Sequence, residues 1–305
     1  MDMSEALKFD LQGLRGKLKR DEPMARHVSW RAGGRADRFY APADPDDLSL
    51  FLGQLPADEP LLFMGLGSNL LIRDGGWRGT VIMTHAASHR PQMDGSLIYA
   101  DAGVASPKVA RYAALHDLEG GEFLAGVPGS VGGALAMNAG CYGGETWDIV
   151  VRVSTIERSG RRYERKTDEF EIGYRQCAPK TPREEWFTGA WFHLKAGDGA
   201  TSRGVMKELL ARRIATQPLS LPNAGSVFRN PPRDHAARLI EACGMKGFGR
   251  GGALVSDKHA NFIVNPGGSA SAADIEWLIE HIQRIVYQMK GIVLQTEVRI
   301  VGEAA

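Results

Sequence analysis

The sequence predicts an α+β protein built from more than one packed unit. Three observations carry this. The chain has 305 residues, beyond the usual single domain, and residues 272–290 have a strongly helical apolar period. Strand-like apolar runs gather between residues 60 and 83 and again between 149 and 194. A domain boundary is expected near residue 200.

The elements follow in order. Leu7, Leu11, Leu14 and Leu18 suggest a short amphipathic helix in an N-terminal arm. Residues 27–42 read as strand–turn–strand around Gly33-Gly34. Asp44 and Pro45 look like an N-cap and first helical residue, opening a helix through Leu52. Residues 60–83 read as three strands separated by glycine turns. Ser106-Pro107 is expected to cap a second helix running to about Leu118, stopped by Gly120-Gly121. Strand runs at 149–157, 161–167 and 189–195 come next, then helices at 203–217 and 234–243. The best-defined helix, 272–290, aligns Ile275, Leu278, Ile279, Ile282, Ile285, Val286 and Met289. Ser271 and Asp274 suit a capping box and Gly291 ends the helix. A strand is expected over Ile292–Val301.

Composition excludes several classes. With 37 Lys+Arg against 36 Asp+Glu the net charge is +1, so no bulk attraction to nucleic acid or membrane is implied. The charged N-terminus has no apolar signal region, and no run approaches the roughly 18 apolar residues of a membrane span. A cytoplasmic protein is expected. Cys141, Cys177 and Cys243 form no CxxC motif and read as free thiols. The histidines are not read as a ligand set, so no metal is expected.

Glycine supplies the chemical signal. Gly65, Leu66, Gly67, Ser68, Asn69 and Leu70 follow an apolar strand, and successive N–H groups in such a turn can nest an anion. The third glycine of a dinucleotide fingerprint is missing and the chain continues as strand, so a Rossmann site is not indicated. A plain hairpin turn is the equal alternative for this loop alone. About sixty residues on, Gly126-Val127-Pro128-Gly129-Ser130-Val131-Gly132-Gly133 runs toward Asn138. Small residues there let a helix N-terminus abut a pyrophosphate. Together the two loops suggest a dinucleotide held by backbone outside a Rossmann fold. Ser226, in Asn223-Ala224-Gly225-Ser226, lacks a nucleophile motif and reads as a positioned hydroxyl. Glu297 on its strand and Arg175 in Gly173-Tyr174-Arg175 read, by residue type alone, as ordinary surface charges.

Taken in order, GLGSNLLIRDGGWRG, GVPGSVGGALAMNAGCYG, the GYR at 173–175, NAGSVFRNP, GGALVSDKHANFIVN and LQTEVRIVG resemble the UDP-N-acetylenolpyruvoylglucosamine reductase family. The match runs from about residue 27 to residue 302. It implies a two-lobed FAD-binding domain of the vanillyl-alcohol-oxidase type over 31–200, split near 80. A 1–30 arm would precede it and a smaller α+β substrate domain, 201–305, would follow. It implies NADPH-dependent reduction of the enolpyruvyl ether of UDP-N-acetylglucosamine to UDP-N-acetylmuramate, in peptidoglycan precursor synthesis. A monomer without macromolecular partners is expected.

The resemblance also assigns residues. Gly65 through Leu70, with Pro128, Gly129, Ser130, Gly132, Gly133 and Asn138, would hold the FAD. Ser226 would donate a proton, with Arg175 and Glu297 assisting at the substrate carboxylate and the developing enol. Tyr174 and Asn230 would touch substrate. Arg229 stands where lysine is usual, Arg35 where proline is frequent, and Cys177 where serine is common. Two other readings remain at this stage: an oxygen-using FAD oxidase or dehydrogenase of the same superfold, and a non-catalytic flavin-binding protein.

Overall fold

The chain forms two sheet-based lobes and a third, helix-rich unit, in a computed structural model that describes residues 13–85 and 90–305. The first lobe is a sheet of β1 (Lys17–Pro23), β2 (Arg35–Ala41), β3 (Leu61–Met64) and β5 (Trp77–Met83), in the order β1-β2-β5-β3. β2 and β3 flank β5 in parallel, while β1 lies antiparallel to β2. One face buries Met24, Phe39, Leu62, Met64 and Val81. The other packs on α1 (Pro45–Leu52), whose Leu48, Phe51 and Leu52 meet Tyr40, Ile82 and Ile156. Asp44 caps α1 as expected, accepting from the Asp46 and Asp47 amides at 3.1 and 2.9 Å.

Two expectations fail here for one reason, the position of β1. Most of the expected N-terminal helix lies outside the described residues, but Leu18 belongs to β1, not to a helix. Within 27–42 only β2 is a strand; its antiparallel partner comes from upstream, Lys17 facing Ala41 and Pro23 facing Arg35.

The second lobe is a five-stranded antiparallel sheet. Its order is Arg162–Lys166, Val150–Glu157, Glu185–Phe192, β7 (Leu97–Asp101) and β6 (Gln92–Asp94). Beside it lie α2 (Ser106–Leu115), α3 (Val131–Ala136) and α4 (Gly199–Thr216), which share a core with Ile98, Val153 and Phe192. Helix α2 stops short of Leu118, because Asp117 takes a left-handed φ of 51°. Its N-cap is Ala105, not Ser106, which is fully buried with a hydroxyl that has no partner among the described residues. Met206 of α4 sits in this second core.

The third unit holds α5 (Ala236–Ala242), α6 (Ala272–Lys290) and a small sheet of Gly249–Arg250, Ala253–Val255 and Ile263–Val264. Helix α6 has the expected Ser271–Asp274 capping box, and Gly291 at φ 68° ends it. Ile275, Leu278, Ile279, Ile282 and Val286 are buried, each contributing about 1.5–3 kcal/mol of transfer free energy. Trp30 and Leu71 join this core, and the Trp30 indole donates to the Ile263 carbonyl at 2.7 Å.

The first lobe and the third unit are locked by charge. The Asp74 carboxylate accepts from the Ala272 and Ala273 amides at the start of α6, at 2.9 and 2.8 Å. Arg73 forks onto Glu276. The expected strand over Ile292–Val301 shortens to Arg299–Val301, which pairs in parallel with β4 (Leu70–Ile72). The preceding residues give their backbone bonds to the Ser226 loop instead: the Glu297 amide donates to the Val227 carbonyl at 2.8 Å. Among the described residues no helix is long and apolar enough to cross a membrane.

Candidate active site

The Gly65–Leu70 turn follows β3, the Gly126–Gly133 segment enters α3, and the two meet between the lobes. A Cβ added to Gly65 would lie 2.0 Å from Ser130 Oγ and 2.8 Å from Ser130 Cβ. Gly67, at φ 61°, passes the His27 carbonyl so closely that a Cβ would stand 2.2 Å from its oxygen. Gly65 thus leaves no room for a Cβ against the Ser130 side chain, nor Gly67 against the His27 backbone.

Both loops line a cavity of about 860 Å³, the size of a cofactor and substrate cleft. Its wall is completed by Arg213 of α4, Gln217 just after that helix, residues 224–226, Arg229, Glu297 and Arg299. Five arginines and two glutamates line it, counting Arg175, Arg183 and Glu185, so the wall suits an anionic ligand. A glycine cradle beside an arginine-rich cleft of this size fits an FAD.

Gly65 through Leu70, with Pro128, Gly129, Ser130, Gly132 and Gly133, face this cavity, as do Ser226, Arg175 and Glu297. Three expected residues do not line it. Asn138, 2% exposed at a left-handed φ of 46°, spends its amide inside the protein. Its Nδ2 donates to Glu145 Oε2 at 2.7 Å and to the Gly173 carbonyl at 3.1 Å, while Oδ1 accepts from the Trp147 amide. It fastens the Tyr174-Arg175 turn. Asn230 Oδ1 accepts from the Ala236 amide at 3.1 Å and so starts α5. Tyr174 is exposed, with its ring 5.0 Å from the Arg175 guanidinium.

Arg175 sits at the tip of a hairpin, Phe170–Gly173 against Gln176–Pro179, at a left-handed φ of 54°. Such a conformation costs a non-glycine residue about 1–2 kcal/mol and marks a constrained side chain. The constraint is visible. Nε donates to Glu297 Oε1 at 3.0 Å, Nη2 to the Gly140 carbonyl at 2.7 Å, and Nη1 to the Asn138 carbonyl at 3.3 Å. Burial raises the Glu297 carboxyl above its ordinary value, against the pull of Arg175 and then Arg229. Burial also lifts the Cys141 thiol to about 11 and the Cys177 thiol to about 12, so both keep their protons at neutral pH.

Ser226 follows Gly225 (φ 76°), whose amide donates to Asn223 Oδ1 at 2.9 Å. The next peptides are gripped from two sides. Asn261 Oδ1 accepts from the Phe228 amide at 3.0 Å, Nδ2 donates to the Phe228 carbonyl at 2.8 Å, and the Asn261 carbonyl takes the Val227 amide. On the far side the Val227 carbonyl takes the Glu297 amide. Asn69 closes the circle: its Nδ2 donates to the Glu297 carbonyl at 3.0 Å. Sequence reasoning missed Asn261; an asparagine inside the apolar run Ala260–Val264 was the signal, because a buried amide must be hydrogen-bonded.

One histidine pair, His85 and His89, has four-residue spacing, although His89 lies outside the described residues. His85 Nδ1 is 2.7 Å from the Gly103 carbonyl oxygen. Among the described residues no group of three or more His, Cys, Asp or Glu could hold a metal ion.

Comparison with known proteins agrees with this architecture. Residues 36–164 match a family described as FAD binding domain. Residues 217–301 match the UDP-N-acetylenolpyruvoylglucosamine reductase C-terminal domain. A UDP-N-acetylenolpyruvoylglucosamine reductase from Thiobacillus denitrificans is 57% identical over 304 residues, covering 95% of this chain and 94% of its own. Its counterpart from Nitrosospira multiformis is 54% identical over 329 residues, covering 100% of this chain and 94% of its own. A crystal structure of UDP-N-acetylenolpyruvylglucosamine reductase from Thermus caldophilus superposes with a TM-score of 0.79 at 29% identity, covering 94% of this chain and 99% of that one. The chain is therefore an FAD-containing oxidoreductase and belongs to the UDP-N-acetylenolpyruvoylglucosamine reductase family.

Proposed function

We propose that this chain reduces the enolpyruvyl ether of UDP-N-acetylglucosamine to UDP-N-acetylmuramate with NADPH, a step of peptidoglycan precursor synthesis. The observation that carries this reading is convergence. Ser226, Arg175 and Glu297, from three distant parts of the chain, face one cavity together with the two glycine loops.

Bound FAD supplies the relay that passes a hydride from NADPH to the substrate. The residues supply position and charge. As the hydride reaches the methylene carbon, negative charge develops on the adjacent carbon and its carboxylate. Arg175, fixed by three acceptors, holds a guanidinium at the site of that charge without reorganising. Glu297, biased by burial toward its protonated form, assists at the developing enol. Ser226 gives its proton to the adjacent carbon, which completes the lactyl ether, and regains one from water. An alcohol is a weak acid, so this requires a hydroxyl held in place; the Asn261 and Glu297 bonds to its neighbouring peptides support that role.

The test is NADPH oxidation by the FAD-loaded protein with and without the enolpyruvyl sugar nucleotide. Substrate-dependent consumption, one NADPH per ether reduced, is expected. Consumption indifferent to the nucleotide would sink the proposal.

A further inference from the structure

Arg229 lines this cavity with a buried guanidinium nitrogen that no group of the described residues engages. Its Nε is buried, and among the described residues it has no hydrogen-bond partner. No carboxylate of the described residues forms an ion pair with its guanidinium. A buried donor with no partner costs about 1–3 kcal/mol, and at the wall of a cavity a ligand group can offset that cost. The backbone beneath it is rigid: the Arg229 amide donates to the Gln295 carbonyl at 2.9 Å, and its neighbour Phe228 is gripped by Asn261.

Arg175, by contrast, is largely committed. Of the five N–H donors of its guanidinium, three point to Glu297, Asn138 and Gly140, leaving one on each terminal nitrogen. Charge balance points the same way. Glu297 already occupies the Arg175 Nε, so a substrate carboxylate entering beside this pair gains from a second cation. Arg229 is near enough to Glu297 to act on its charge, and it follows Ser226 by three residues. It therefore stands at the reacting end of the cavity.

We infer that Arg229 is a specificity residue that binds the substrate's carboxylate, its planar fork taking both oxygens. The inference rests on the proposed function, since it needs a ligand whose carboxylate adjoins the reacting carbon. A guanidinium at this position gives two parallel bonds where an ammonium would give a point charge.

The experiment compares two ligands on FAD-loaded protein by fluorescence titration: UDP-N-acetylmuramate, which carries the carboxylate, and UDP-N-acetylglucosamine, which lacks it. Arg229→Ala should bind the carboxylated nucleotide about ten- to a hundredfold more weakly, the worth of a charge-assisted hydrogen bond, with the other unchanged. Arg229→Lys should recover part of the loss. If Arg229→Ala fails to retain FAD, Arg229→Gln, which keeps the length, is read in its place. Equal loss for both ligands would move Arg229 to the diphosphate, and no loss would return it to solvent; either overturns the inference. Wild-type protein that fails to distinguish the two ligands would instead count against the proposed function.

Discussion

The contact between Gly65 and Ser130 can be broken and repaired with single substitutions. In Gly65→Ala the new Cβ would sit 2.8 Å from Ser130 Cβ, against the 3.4 Å at which ordinary contact begins, a shortfall of 0.6 Å. Rotating the Ser130 hydroxyl relieves the 2.0 Å clash with Oγ but cannot move Cβ. Ser130 is 2% exposed and precedes Val131, whose amide donates to the Val104 carbonyl, so the loop yields only by shifting backbone. Overpacking of this kind costs about 1–3 kcal/mol. Because the strain is relieved by parting the loops, it should appear as FAD affinity weakened about 5–150-fold. The assay is FAD titration of the apoprotein followed by flavin absorbance, with thermal melting of the apoprotein as control. Ser130→Gly in the Gly65→Ala background removes the opposing atoms and should restore binding. Wild-type FAD affinity in Gly65→Ala, or no recovery in the double variant, would refute the claim that the loops cradle the cofactor together.

Further outcomes follow from the clamp and from the buried carboxyl. Asn261→Ala leaves the Phe228 amide and carbonyl without partners, at about 1–3 kcal/mol each, so its melting temperature should fall. Because the clamp acts on the Ser226 turn, reoxidation by substrate should slow far more than reduction by NADPH; equal slowing of both would make Asn261 merely structural. Glu297→Gln keeps an oxygen for the Arg175 Nε while removing the buried charge. Since burial raises the Glu297 carboxyl above 4.5, the folded state holds its proton longer than the unfolded one. Wild-type stability should therefore fall relative to Glu297→Gln as pH climbs through the range above 4.5. Melting curves across that range check the sign, and a variant that instead loses ground with rising pH would show that attraction to the arginines dominates.

What the sequence revealed depended on whether the signal was local. Helix α6 was legible with both caps, because its period and its Ser271, Asp274 and Gly291 lie within about twenty residues. The glycine loops were legible because glycine is itself the signal of close backbone approach. Asn138 misled: an asparagine beside a glycine loop looks like a ligand contact, and nothing local shows that Gly173, far along the chain, takes its amide hydrogen. The strand over Ile292–Val301 was half right for the same reason. Its alternation puts Ile292, Leu294, Val298 and Ile300 on one face, of which Leu294 and Val298 are buried, but its hydrogen-bond partners, β4 and the Ser226 loop, are invisible to a period count. Arg73 and Asp74 lie in the stretch read only as strands and glycine turns, yet they anchor α6 to the first lobe.

The central claim is that Ser226 acts after the flavin has been reduced. Stopped-flow measurement of the two half-reactions in Ser226→Ala tests it most directly. NADPH should reduce the bound flavin at the wild-type rate, and the enolpyruvyl nucleotide should then reoxidise it more slowly by roughly 10²–10⁴-fold, the worth of a general acid. Reoxidation at the wild-type rate would contradict the account and pass the proton to another donor.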